Sequence, residues 1–152
     1  MKLKKFKLSL VLLTLIGVFV SPVIAKRNTD TIHIVVKTIL ASQEASYVDP
    51  QLSTLIEELQ HIFRYSSYQL ISKNSLDLGM KRTGIVSLPG NRVLKITPTG
   101  FTQNRTELQL VIFRKRKQIF QTVIQILNHG SITVGGPKYR NGYLLFNIFT
   151  SF

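Results

Sequence analysis

No cysteine occurs anywhere in the 152 residues. The fold therefore uses no disulfide, and thiol redox chemistry and Cys-based zinc sites are excluded. A lipid-modified cysteine anchor is excluded as well. Histidine is scarce. His33, His61 and His129 fall on a strand candidate, a helix candidate and a turn, with no His-x-His or His-x₃-His pair, so no metal site is expected. Acidic residues are few: seven Asp and Glu stand against 20 Lys and Arg, a formal net charge of +13. Glu57 and Glu58 are adjacent on the helix candidate, so they do not share a face and read as solvent charges rather than an acid/base pair. There is no Gly-x-Ser-x-Gly elbow, and Ser66-Ser67 has only His61 nearby in sequence. No catalytic constellation emerges, and no cofactor is expected.

Long hydrophobic runs are limited to one. Lys2, Lys4, Lys5 and Lys7 precede an apolar stretch at 8–20, and Val23 and Ala25 occupy the third and first positions before a cut after Ala25. That is the three-part pattern of a secretory signal peptide. Residues 1–25 are read as a leader and 26–152 as a single domain. The alternative is an uncleaved anchor, for which the run is short against the roughly 20 residues of a full span. Four cations leave with the leader, so 16 Lys and Arg face seven acids and the net charge becomes +9. An exported, envelope or periplasmic location is expected, in a bacterium on compositional grounds.

The clearest helix signal lies at 49–64. Asp49 is placed to cap a first turn, and Pro50 suits the first helical position. Leu52, Leu55, Ile56, Leu59, Ile62 and Phe63 follow at helical spacing. Almost everything else alternates like strands. Residues 31–42 form a strand candidate with Ile32, Ile34, Val36, Thr38 and Leu40 on one face. Residues 68–73 and 76–80 read as short strands, or as one strand bent at Asn74. Residues 83–88 and 92–97 flank Pro89-Gly90-Asn91 and predict a hairpin, with a loop expected at 98–104. Residues 106–114 and 118–127 are the longest strand candidates. Residues 131–134 predict a short strand that Gly135-Gly136-Pro137 breaks. Asn141-Gly142 is a hairpin signal leading into an apolar strand at 143–152. Both faces of that last strand are apolar, which fits a strand covered on two sides. The connections are short, so neighbours should be antiparallel. The expected fold is α+β: one amphipathic helix packed on a strongly twisted antiparallel sheet of about seven or eight strands.

Arg114, Lys115, Arg116 and Lys117 join the two longest strand candidates. Four adjacent cations at a hairpin tip are the candidate anion-binding residues, suited to lipid head groups, lipopolysaccharide or an acidic cell-wall polymer. The plain alternative is a solvated tip whose charge discourages edge-to-edge pairing. Nucleic acid is not expected as a natural partner, because no stacking module accompanies the charge and the chain is exported. Tyr65, Tyr68, Tyr139, Tyr143, Phe146, Phe149 and Phe152 suggest an aromatic contact patch, or simply core. The terminal strand could pair with another chain by strand addition, or be paired internally.

The stretches Leu88-Pro89-Gly90-Asn91-Arg92-Val93-Leu94-Lys95-Ile96-Thr97-Pro98, Val134-Gly135-Gly136-Pro137 and Gly142-Tyr143-Leu144-Leu145 resemble those of small, exported, β-rich bacterial proteins. The glycine pair before an apolar strand is also similar to strands of secretin-type outer-membrane channel proteins, although this chain lacks a secretin's length. The resemblance implies an accessory role in envelope assembly and carries over no functional residue. The leading expectation is a non-catalytic binding or assembly module for an envelope protein or an anionic surface. A small envelope-polymer-acting enzyme and a lipid or small-ligand binder with a cavity between helix and sheet are the alternatives.

Overall fold

The computed structural model describes residues 31–152. The expected leader and the polar segment 26–30 lie outside the described residues. The elements run β1 (Thr31–Ser42), β2 (Tyr47–Val48), α1 (Ile56–Ile62), β3 (Ser67–Gly79), β4 (Gly84–Leu88), β5 (Arg92–Thr102), β6 (Arg105–Arg114), β7 (Lys117–Leu127), β8 (Ser131–Tyr139) and β9 (Gly142–Ser151).

The strands make two sheets rather than the single sheet expected. One has the order β2-β3-β1-β9-β8 and the other β4-β5-β6-β7. Every ladder is antiparallel except the two-residue pairing of β2 with β3. Long twisted sheets curl or split so that one face can close on itself. Here that face is completed by residues from both sheets: Ile32, Ile34 and Val36 of β1, Leu94 and Ile96 of β5, Leu108, Leu110 and Ile112 of β6, and Phe146 and Ile148 of β9 form one buried cluster. Alternation along each strand sends these positions inward. β9 is an interior strand, bonded to β1 on one side and β8 on the other. Its pairing is internal, which removes it as a free edge for strand addition.

Several breaks expected from proline and glycine are bulges instead. β5 runs through Pro98, with a register shift between Pro98 and Gly100, so no loop begins there. β8 runs through Gly135-Gly136-Pro137, with its shift between Gly135 and Lys138. Gly136 and Pro137 stand out of the β8 ladder, where the missing N–H of proline costs nothing. Pro98 keeps its place opposite Leu108, and Thr99 is the residue left out. Residues 67–79 are one strand, not two.

The helix is shorter than its apolar spacing predicts. Residues 50–52 form a single 3-10 turn, Asp49 accepts from the Gln51 amide at 2.9 Å, and α1 begins only at Ile56. Ser53 and Thr54 lie between the two; such short polar side chains compete with helical backbone bonds. In a 3-10 turn positions i and i+3 eclipse, which keeps Leu52 and Leu55 on the sheet side. Leu52 and Leu59 are buried against Ile39, Ala41, Tyr68 and Leu145 on the outer face of the five-stranded sheet, with Leu55, Ile56 and Phe63 packed around them. Ile62 does not join them and is 57% exposed.

Tyr68 fastens the end of this helix. Its single hydroxyl hydrogen is shared between the carbonyls of Leu59 and Phe63, adding to the backbone amides of Phe63 and Tyr65 that those carbonyls already accept. Burial pushes the phenol above its ordinary value of 10.0; the Tyr65 backbone hydrogen bond opposes this and the neighbouring Tyr65 phenol adds to it. The raised value means the unfolded chain ionises first. This contribution to stability is therefore complete below pH about 10 and is lost as pH rises through the folded value. Tyr68→Phe is expected to lower stability by about 1–2 kcal/mol at neutral pH and to flatten the alkaline fall. Urea midpoints of both proteins between neutral pH and the alkaline limb check this; parallel alkaline limbs would remove Tyr68 as the cause.

Candidate functional site

The four cations of the basic tip sit where the sequence places them. Arg114 and Lys117 are the last ladder pair of the β6–β7 hairpin, and Lys115 and Arg116 form its two-residue turn. Both turn residues have positive φ, 48° and 68°. Two-residue turns of this kind favour Asn-Gly, because other side chains meet their own backbone there. Lys-Arg is an expensive choice for stability, on the order of 1 kcal/mol or more for each strained residue. All four side chains are exposed.

The register brings more cations to the same end. Arg92 opens β5 directly opposite Arg114 of β6. Alternation turns Arg92 inward with Leu94 and Ile96, and it is 8% exposed. Its Nη2 donates to the Lys138 carbonyl at 2.9 Å and its Nη1 to the Pro89 carbonyl at 3.2 Å. One buried guanidinium thus ties the β4–β5 turn to the end of β8. The Tyr139 ring has the Arg92 guanidinium 5.7 Å from its centroid and that of Arg140 at 5.2 Å, within cation–π range. Lys95 Nζ stands 4.8 Å from the Phe113 centroid on the outer face of the same sheet.

One end of the molecule therefore gathers Arg92, Arg114, Lys115, Arg116, Lys117, Lys138 and Arg140. Of the loops at this end, only the one at 43–46 carries a carboxylate, Glu44, and it accepts from Asn141 Nδ2 at 2.6 Å. Among the described residues the one ion-pair geometry is His33 with Asp77, at 2.7 Å, near the start of β1 and the opposite end of its ladder. Arg92 is taken up by its two carbonyls, and the six exposed cations around it are left to solvent or to an external anion. Arg92, Lys138 and Arg140 were not singled out from sequence; they are far apart along the chain, and only strand pairing unites them.

The other sequence candidates do not converge. His33 lies on β1, His61 on α1 and His129 in the β7–β8 turn; among the described residues no three His, Cys, Asp or Glu gather where a metal ion could sit. Ser66 Oγ is engaged by the carbonyls of Glu44 and Ser42. The aromatic residues divide rather than form one patch. Tyr68 and Phe146 are buried, Tyr65 meets Tyr68 and Tyr143, and Phe152 meets Phe101 at 4.9 Å. Among the described residues no helix is long and apolar enough to cross a membrane. No protein family, curated protein or solved structure matches the chain.

Proposed function

We propose that the protein is an exported, non-catalytic binding module that docks an anionic envelope surface through its basic end. The observation that carries this reading is the meeting of six exposed cations from two hairpins at one end, tied together by the buried Arg92, with Glu44 as the single loop carboxylate beside them. The strained Lys115-Arg116 turn supports it, since strain held in charged side chains points to use rather than to stability. Acidic lipid head groups and phosphodiester or carboxylate wall polymers share the required chemistry. An accessory role in envelope assembly fits the same surface.

Each Lys or Arg close to an acidic lipid surface contributes about 1 kcal/mol, and the attraction fades within a Debye length of roughly 8–10 Å. The test is co-sedimentation with phosphatidylglycerol-containing vesicles beside phosphatidylcholine vesicles, repeated at rising salt. Retention on the acidic vesicles and release by salt are expected. Equal recovery on neutral vesicles, or none on either, would sink the proposal. Cell fractionation tests the location separately, with the mature chain expected in the envelope or periplasm.

A further inference from the structure

The helix segment packs on the outer face of the five-stranded sheet over Ile39, Ala41, Tyr68 and Leu145. Beyond the helix lies a cavity of about 300 Å³, lined by Val35, Lys37, Leu55, Lys73, Asn147 and Phe149, with Ser131 at its rim. Two adjacent rows of the sheet make its floor. In the first, Lys73 of β3 pairs with Lys37 of β1, and Lys37 pairs with Asn147 of β9. In the second, Val35 pairs with Phe149, which pairs with Ser131 of β8. Leu55, just before α1, supplies the apolar wall.

Two like charges directly opposite each other on one face destabilise a sheet. Neither Lys37 nor Lys73 has a hydrogen-bond or ion-pair partner among the described residues. Of the carboxylates nearest this face, Asp77 holds His33 at 2.7 Å and Glu58 accepts from Thr133 at 3.4 Å, and the exposed Glu57 makes no ion pair with either lysine. Asn147 is 3% exposed, and its Nδ2 donates one bond, to Thr133 Oγ1 at 3.0 Å. An amide nitrogen has two hydrogens, so a second donor remains beside the two ammonium groups. Three donors meet an apolar surface made by Val35, Leu55 and Phe149. The volume lies at the lower end of ligand pockets.

We propose that this cavity binds a small amphiphilic anion. Its carboxylate or phosphate is held by Lys37, Lys73 and Asn147, and its short apolar part rests on Val35, Leu55 and Phe149. The site is separate from the basic end and does not rest on the surface-docking proposal.

Titration of the folded protein with octanoate, octyl phosphate, octylammonium and acetate, followed by amide chemical shifts, tests it. Octanoate or octyl phosphate should perturb residues 35, 37, 73, 147 and 149, and the tighter of the two identifies the head group. Acetate, lacking a tail, and octylammonium, with the wrong charge, should leave these signals in place. Lys73→Gln, at an exposed position, and Lys37→Gln should each weaken binding by about tenfold or more. Replacing the four tip cations with glutamine should leave it unchanged. Octylammonium binding as well as octanoate, or octanoate binding undiminished in both lysine variants, would overturn the assignment.

Discussion

Gly142→Ala is expected to destabilise the fold by about 3 kcal/mol or more. Gly142 opens β9 opposite Ser42 of β1. A Cβ there would stand 2.1 Å from the Ala41 carbonyl oxygen and 3.0 Å from the Ala41 carbonyl carbon. Both contacts are backbone, so no side chain can swing aside. The last residues of β1 and the first of β9 would have to separate, loosening the ladder between these two interior strands. The residue's φ is not positive; the requirement is closeness of approach, not left-handed backbone. Gly135→Ala is the matched control, because its Cβ would meet only Phe63 Cε1, at an ordinary 3.6 Å. Urea unfolding of the two variants should differ sharply. A Gly142→Ala protein with the parent's midpoint would mean that the strands do not approach so closely.

Replacing Arg114, Lys115, Arg116 and Lys117 together with glutamine is expected to weaken binding to acidic vesicles by about 4 kcal/mol, roughly a thousandfold. A second variant separates binding from stability. Lys115→Asn with Arg116→Gly places the preferred pair in the two positive-φ positions and keeps Arg114 and Lys117. It should stabilise the hairpin by on the order of 1 kcal/mol or more while weakening vesicle binding by about 2 kcal/mol. Thermal unfolding and vesicle titration on the same samples read both effects. Unchanged binding in the quadruple variant would leave the tip as a solvated, aggregation-resistant turn. Loss of stability in the Asn-Gly variant would show that Lys115 or Arg116 makes a folding contact.

Period-two alternation made most strands legible: β1, the β4–β5 hairpin and the β6–β7 hairpin follow directly from it. Alternation assigns faces, however, and says nothing of partners. That β1 lies between β3 and β9 depends on pairings such as Val36 with Asn74 and with Ile148, far apart in sequence and without a local signal. The division into two sheets was hidden for the same reason, because a residue faces the core alike whether its sheet is continuous or split. Proline and glycine misled at Pro98 and at Gly135-Gly136-Pro137, where bulges absorb what a regular ladder would reject. Arg92 left a readable trace: the rule that turns Leu94 and Ile96 inward turns Arg92 inward too, and a charge on an apolar face needs a partner. The other cations at the basic end left no such trace, and neither did the Lys37–Lys73 pair, since nothing local sets β1 beside β3 in that register.

The placement of β1 also sets a timetable. The meander β4-β5-β6-β7 pairs only near neighbours, so its ladders need no distant strand. β1 must wait for residues 142–151 before its second ladder exists. Until then its apolar residues have one flank unpaired, a state that slows folding and favours sticking to other chains. Closing this distant ladder between β1 and β9 is thus what completes the sheet.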